Sequence, residues 1–596
     1  MITAKDSLAA DLAKLTPARL KSASFKELTE LAGKIRQFLI DSIAATGGHI
    51  GANLATIELS LALHRVFESP EEKIIWDTGH QGYTHKIVTG RADRFYTLNT
   101  PDGMSRFVSK RESEHDVIDA SHGGTAISVA LGVALAKALR GDPRFVVAVI
   151  GDGALAEGMA LEALNHAAVA PHTNLILVLN DNGYAISPGV GALHNYLQTL
   201  RPGTRDPEHL FTALGLDYVG PVNGHDIEAT VAALERARVS TQIPLVHLKT
   251  VKGYGWRPAD GDPYRMHFSF PFDPNTGRAR GVSSAGYPDV AAQVIGAEMD
   301  RDERIVVITP AAIHAAGLQP IFEKFPDRSF DPGMEEQHAI TMTVGFALER
   351  MKPVVVLQST FLQRAFDQLV HDVCFGNVPA LILSVRSGFA GYDSPARHGI
   401  YDFAYWRGLP NLRVLYPKDR FEVERMVRDA LRDLDAPTII AMPYGPVDEI
   451  DRRVLNDPPA AFARPEIALE GHDLMIVAVG HKYRAAHTAA ERLRKKGVDC
   501  GVINLRYVKP LPEDVLVALL ANVPRVVTLE EGVLDGGVGS AIATLLSDRR
   551  VKCDVLRIGL PCTFVEAGSS DELCRAYGLD ADGVLARIRE TWMFDA

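Results

Sequence analysis

The chain has 596 residues, 46% of them hydrophobic and 23% charged, with 50 glycines and 34 prolines. Such fractions describe a folded protein and exclude collagen-like repeats, a long coiled coil and wholesale disorder, and the length predicts about three to five domains at roughly 100–200 residues each. The 63 basic and 74 acidic residues give a net charge of −11, which leaves no broad footprint for nucleic acid or an anionic membrane, although a local arginine cluster can still hold a small anion.

The first residues, MITAKDSLAADLAKL, place lysine and aspartate where a signal peptide needs an apolar core. Residues 22–40 follow with an amphipathic helical stripe of Leu28, Leu31, Ile35, Phe38 and Leu39, the pattern of a covering helix. The longest weakly polar run, Ala126 to Ala136, is interrupted by Ser128 and stopped by Lys137, short of the ~20 residues a membrane span needs. Short β-branched apolar runs then recur at 145–150, 175–179, 304–309, 354–358, 381–385, 474–479 and 526–529, most followed by helical periodicity. Continuous apolar strands alternating with helices predict parallel sheets covered on both faces, hence an α/β fold. Two stretches without such a period, 261–288 and 444–465, divide the chain into expected domains at 1–280, 281–450 and 451–596. The five cysteines, Cys374, Cys500, Cys553, Cys562 and Cys574, form no C-x-x-C pair, so neither a zinc knuckle nor a redox motif is expected. Scattered thiols suit a reducing compartment, and the expectation is a soluble, cytoplasmic protein with no nucleic-acid or membrane partner.

The sharpest local signal is Gly151-Asp152-Gly153-Ala154 after the run at 145–150, with Asn180-Asp181-Asn182 ending the next run. Asp152 and Asn182 lie thirty residues apart, one strand–helix–strand unit, which predicts that both side chains stand at the same carboxyl edge of a parallel sheet. A carboxylate, an amide oxygen and a backbone carbonyl make a partial shell for Mg²⁺, which completes its octahedron with phosphates and water. The glycines allow close backbone approach, and a helix N-terminus favours anionic phosphate. Taken alone, G-D-G is more simply a tight turn with an aspartate cap; the second motif at strand-end spacing separates the two readings. A nucleotide site has less support, because no G-x-x-x-x-G-K-[ST] occurs and Gly537-Val538-Gly539 lacks the third glycine of a dinucleotide fingerprint.

G-D-G followed by N-D-N resembles the diphosphate-binding motif of thiamine diphosphate (ThDP) enzymes. The resemblance extends over nearly the whole chain to the 1-deoxy-D-xylulose-5-phosphate synthase family of the transketolase superfamily. It rests on G-G-H-I-G-A-N-L (47–54), I-W-D-T-G-H-Q-G-Y-T-H-K (75–86), E-S-E-H-D-V (112–117) and G-M-A-L-E-A-L-N-H-A (158–167). Further segments are G-P-V-N-G-H-D (220–226), E-E-Q-H-A (335–339), S-T-F-L-Q-R-A-F-D-Q (359–368), R-Y-V-K-P-L-P (506–512) and L-E-E-G (529–532).

The resemblance implies a three-domain transketolase-like architecture, ThDP and Mg²⁺ as cofactors, and a homodimer. It implies decarboxylation of pyruvate and transfer of the two-carbon unit to D-glyceraldehyde 3-phosphate, giving 1-deoxy-D-xylulose 5-phosphate for isoprenoid, thiamine and pyridoxal synthesis. By position, Asp152, Asn182 and the Tyr184 carbonyl would hold the metal, and Gly151, Gly153, Ala154 and His122 would face the diphosphate. Glu336 matches the glutamate that hydrogen-bonds the pyrimidine and favours its imino tautomer, which can take the thiazolium proton. Phe361 matches the aromatic stacked on that ring. His49, His80 and His267 match active-site histidines, with His267 carried by D-P-Y-R-M-H (262–267). Outside these contexts the ordinary roles would be a cap for Glu336, a core side chain for Phe361, and surface or packing positions for any of the chain's 20 histidines.

Departures from the family pattern gather at the acceptor end. Arg364, Arg386 and Asp393 match acceptor-binding positions, but Arg397 replaces a histidine and Tyr444 replaces a phosphate-binding arginine. Gln358 stands for a tyrosine before S-T-F, Val385-Arg386-Ser387-Gly388 stands for D-R-A-G, and Ala52 and Asn53 stand for small residues after His49. One reading keeps deoxyxylulose phosphate as product with Arg397 taking over phosphate; another re-aims the same donor chemistry at a different acceptor. A transketolase-type ketol transfer and a non-catalytic ThDP-binding paralogue are further alternatives. The last predicts damage at Asp152, Asn182 or Glu336, and all three are intact.

Overall fold

The computed structural model describes residues 4–100, 103–170, 173–201, 209–262, 264–281 and 285–593. They group into two compact units, Met1–Val282 with Gly333–Glu335, and Ser283–Pro332 with Glu336–Ala596.

The first unit is built on a five-stranded sheet. Its spatial order is Lys73–Trp76, Val146–Gly151, Leu175–Asp181, Pro244–Lys249, Asp217–Asn223, and every neighbouring pair is parallel. The strands expected at 145–150 and 175–179 are its second and third members. Their apolar runs are unbroken because both faces are covered: Val147 and Val149 pack into one core, Val146, Ala148 and Ile150 into another. The helix expected at 22–40 instead begins at Phe25 and runs to Thr46, while Pro17–Ser22 forms a separate turn. A capping box fixes that start. The Ser24 N–H donates to Glu27 Oε2 at 2.8 Å and the Glu27 N–H to Ser24 Oγ at 3.3 Å. The predicted stripe faces inward, with Leu28, Ile35 and Leu39 fully buried and Leu31 partly so.

The second unit carries two sheets. One runs in the order Tyr507–Lys509, Arg413–Leu415, Thr438–Pro443, Leu381–Ser387, Lys352–Gln358, Ile305–Ile308, Ser329–Phe330. Only Tyr507–Lys509, an edge strand, is antiparallel to its neighbour. The other runs Glu466–Leu469, Cys500–Leu505, Leu474–Val479, Arg525–Val533, Asp554–Leu560, with only Glu466–Leu469 antiparallel. Sheets dominated by parallel pairs and flanked by helices are the α/β class the sequence predicts.

Of the stretches expected to lack regular structure, 261–288 holds only isolated bridges among its described residues, Ser269 to Gly48, Phe272 to Ala279 and Gly286 to Pro446, and reaches the helix Tyr287–Met299; residues 263 and 282–284 lie outside the described residues. The stretch 444–465 holds a short 3₁₀ turn, Arg452–Asn456, and a four-residue helix, Pro459–Phe462. No described helix is long and apolar enough to cross a membrane, and all five cysteines are unbridged.

Candidate active site

In the first unit the sheet register sets the chemistry. Gly151 pairs with Asn180 across two neighbouring parallel strands, so Asp152 and Asn182 emerge together at the carboxyl edge. The Asn182 N–H donates to Asp152 Oδ1 at 3.3 Å, and Asn182 Oδ1 accepts the Tyr184 N–H at 3.0 Å. That second bond folds the turn on which Tyr184 sits. Asp152 is buried, and burial together with the neighbouring Asp181 carboxylate pushes its carboxyl up to about 7. Such a group resists being charged unless a cation joins it. Gly153 is needed for packing, since a Cβ there would stand 2.7 Å from Ala185 Cβ, whereas a Cβ on Gly151 would meet nothing within 4 Å among the described residues beyond its chain neighbours. Ala154 is buried in the short helix Asp152–Leu155.

Lys252 is a residue that motif reading missed. It is buried and donates to the carbonyls of Ala185 and Ile186 at 3.0 and 3.1 Å, and its ammonium lies 5.0 Å from the centre of the Tyr184 ring. Burial lowers its pKa to about 7, with Asp152 among the charges that oppose the shift. Its position just past the carboxyl end of strand Pro244–Lys249 is the signal that could have found it.

The three histidines meet. Ring centroids of His49 and His80 are 5.3 Å apart, of His49 and His267 5.5 Å, and of His80 and His267 5.4 Å. Phe107 and Phe268 each pack 5.5 Å from His49. Backbone pairing brings the distant segments together, since Gly48 and Ser269 exchange two hydrogen bonds of 2.9 Å and the Gly51 N–H donates to the Met266 carbonyl at 3.0 Å. A Cβ on Gly51 would collide with the Arg265 carbonyl oxygen, so glycine is required by the close approach. Asn53, one of the departures, is fully buried and acts as a brace. Its amide donates to the carbonyls of His49 (2.6 Å) and His80 (2.7 Å) and accepts the Tyr83 N–H (2.8 Å). His122 is half-buried in a loop fixed by Asp77, whose carboxylate accepts the N–H groups of Gly124 and Ala126 at 3.0 Å each. Asp77 was also not foreseen.

The second unit assembles the remaining residues. Glu336 is buried and opens the helix Glu336–Leu348. Gln358 ends strand Lys352–Gln358 and pairs with Val385, which sets it beside the residue before Arg386. Phe361 and Arg364, both half-buried, follow on successive short helical turns. Arg386 sits at the end of Leu381–Ser387 with a left-handed φ of 63°. Its guanidinium lies 5.1 Å from the centre of Tyr444 and 5.9 Å from that of Tyr392, two rings stacked 5.3 Å apart at 18°. Arg397 lies 4.8 Å from the centre of Phe361. Burial lowers the Arg397 pKa, and nearby Arg386 adds to the effect while Asp393 opposes it. Burial raises the Tyr444 hydroxyl, and Tyr392 adds to the rise. Tyr392 was not foreseen; only its place one residue before Asp393 hinted at it. The alternative nucleotide motif is closed from within, because Glu530 Oε2 and Oε1 accept the N–H groups of Val538 and Gly539 at 2.8 and 2.7 Å.

Comparison with known proteins fits this arrangement. Residues 13–205 and 202–250 match the family model described as 1-deoxy-D-xylulose-5-phosphate synthase, 284–447 the transketolase pyrimidine binding domain, and 464–584 the transketolase C-terminal domain. A 1-deoxy-D-xylulose-5-phosphate synthase of Caldanaerobacter subterraneus subsp. tengcongensis is 39% identical over 616 residues, covering 96% of this chain and 98% of the relative. A protein named 1-deoxy-D-xylulose-5-phosphate synthase 2 from Geobacter sulfurreducens is 41% identical over 622 residues, covering 96% and 98%. At that identity over nearly the full length, the chain belongs to the 1-deoxy-D-xylulose-5-phosphate synthase family.

Proposed function

We propose that this chain is a transferase that joins pyruvate and D-glyceraldehyde 3-phosphate, releasing CO₂ and giving 1-deoxy-D-xylulose 5-phosphate. One carbon–carbon bond breaks, one forms, and one proton is taken up. The activity depends on ThDP and Mg²⁺, as in the family. The donor set fits the metal, since one buried carboxylate, one amide oxygen and a backbone carbonyl are all hard oxygen ligands. Packing among the described residues does not call for glycine at 151, and the open space beside it suits close approach of the diphosphate. In this reading Asp152, Asn182 and the Tyr184 carbonyl hold Mg²⁺, Gly151, Gly153, Ala154 and His122 border the diphosphate, and Glu336 and Phe361 hold the pyrimidine. When bound, ThDP supplies a nucleophilic carbon and an electron sink for the decarboxylation. His49, His80 and His267 donate and accept protons on reacting oxygens, a task suited to imidazole near neutral pH. Arg386 and Arg397 bind the acceptor phosphate, with Asp393, Arg364, Gln358 and Tyr444 shaping that end.

The strand-end pair of buried Asp152 and part-buried Asn182 carries this reading. Asp152→Asn should weaken ThDP binding in the presence of Mg²⁺ by about tenfold or more by calorimetry, together with loss of CO₂ release. Binding equal to wild type would remove Asp152 from the site.

One observation favours a second reading of the acceptor. Tyr444 stacks on Tyr392 where the family pattern has an arginine, so an acceptor other than glyceraldehyde phosphate would use the same donor chemistry. Product mass with a panel of aldehydes separates the two. Family membership also supports a homodimer, a cytoplasmic location and a division at 1–280, 281–450 and 451–596. Light scattering of the purified protein tests the first, and limited proteolysis the last.

A further inference from the structure

The second glutamate of L-E-E-G plays no part in the chemistry above, yet it is one of the most heavily engaged buried groups in the second unit. Glu531 is 2% exposed. Its Oε2 lies 2.5 Å from Lys482 Nζ and 2.9 Å from His481 Nε2, and the Cys574 thiol points to the same oxygen at 3.5 Å. Burial alone would raise its pKa, but Lys482 and His481 hold it far below the usual carboxylate range. The other oxygen, Oε1, faces a different element and accepts the Phe389 N–H at 2.7 Å. Gly388, with φ of 82°, lies so close that a Cβ would collide with that same oxygen.

Phe389 is three residues after Arg386, and the segment from Ser387 to Gly391 is held by side-chain and backbone bonds to its neighbours. The Ser387 hydroxyl donates to Asp402 at 2.8 Å, Gly388 and Gly399 exchange two hydrogen bonds of 2.9 Å, and the Gly391 N–H donates to His398 Nδ1 at 3.0 Å. Arg386 is in the left-handed region, where a non-glycine residue stays only if its surroundings impose it. Phe389 N–H is the attachment point that a buried, fully charged carboxylate provides, and a charge-assisted bond of this kind is about twice as strong as a neutral one.

We infer that Glu531 is a positioning residue for acceptor binding: clamped by Lys482 and His481, it pins the Phe389 N–H and thereby sets Arg386 in its strained, ring-stacked pose. This rests on the reading of Arg386 as an acceptor-phosphate residue. The region 464–584, matched by the transketolase C-terminal domain, thus tunes affinity for the phosphorylated acceptor while leaving the donor half alone.

The test compares Glu531→Gln, the charge-balanced Glu531→Gln/Lys482→Met and Arg386→Ala in the full-length enzyme with ThDP and Mg²⁺. The readouts are the KM for D-glyceraldehyde 3-phosphate, the KM for pyruvate, kcat with the unphosphorylated acceptor glycolaldehyde, and the melting temperature. The expected result is an acceptor KM raised about fivefold or more in both Glu531 variants, with pyruvate KM and the glycolaldehyde rate unchanged. The double variant guards against a folding defect caused by leaving Lys482 buried without its counter-charge. An unchanged acceptor KM in the double variant, with Arg386→Ala raising it, would overturn the inference and leave the proposed function standing. Equal losses in both half-reactions alongside a lower melting temperature would reduce Glu531 to a structural role and overturn it too. If Arg386→Ala itself left the acceptor KM unchanged, the acceptor assignment would fall and the inference with it.

Discussion

The strand-end region around Asp152 and the loop region around Arg386 are built on opposite plans. Asp152 and Asn182 stand where two parallel strands end, and their alignment is the register of the sheet itself. Arg386, Tyr392, Arg397 and Tyr444 come from strand ends and loops, and the segment that follows Arg386 is held at Ser387, Phe389 and Gly391 by Asp402, Glu531 and His398. A side chain fixed by sheet register cannot be moved without moving the sheet, whereas a loop arginine can be exchanged for a tyrosine with little effect on the core. The departures at 397 and 444 fall in the second region, while Gln358 stands at a strand end in register with Val385; in the proposed function all three shape the acceptor end and leave the donor set intact. Asn53 is an informative exception. It lies among the histidines, yet it braces their backbone rather than replacing a reacting group.

The contrast is most sharply tested by removing the groups on which each region depends. Glu336→Ala should have the largest effect, lowering CO₂ release from pyruvate by on the order of a thousandfold with the melting temperature unchanged. CO₂ evolution near the wild-type rate would disprove the ThDP assignment. Arg397→Ala should act only on the acceptor side, raising the glyceraldehyde 3-phosphate KM by roughly ten- to a hundredfold, the loss of one charge-assisted bond of roughly 1.5–3 kcal/mol, with pyruvate KM unchanged. An unaltered acceptor KM would take Arg397 out of that site and return it to packing on Phe361. Smallest in turnover should be Asn53→Ala, which leaves two carbonyls and one N–H without their buried partner at a cost of about 1–3 kcal/mol in stability. Chemical denaturation would show that loss, and a stability equal to wild type would mean the brace is dispensable.

Much of the first region was legible in the sequence because its signal is local. An apolar run ending in G-D-G, then another ending in N-D-N thirty residues later, encodes both the strands and their shared edge. Helix starts were less legible, since the cap formed by Ser24 and Glu27 fixes the true beginning at Phe25, three residues after the expected start at 22. The histidine cluster could be named from its motifs, but spacing alone does not reveal it, because the Gly48–Ser269 pairing that closes it joins residues 221 apart in sequence. Lys252 and Tyr392 escaped for the same reason: each acts through a contact on another segment and carries no motif of its own. Asp77 lies inside the quoted segment 75–86, but its partners, the N–H groups of Gly124 and Ala126, are on another segment. The edge strand Tyr507–Lys509 was also hidden, since three residues give too short a period to read.

The most direct test of the central claim uses purified protein with ThDP, Mg²⁺, pyruvate and D-glyceraldehyde 3-phosphate, following CO₂ release and the mass of the sugar phosphate formed. The expected result is stoichiometric CO₂ and a deoxypentulose phosphate, with both lost when Mg²⁺ is chelated. Decarboxylation that responds only to another acceptor, or no turnover at all, would contradict it.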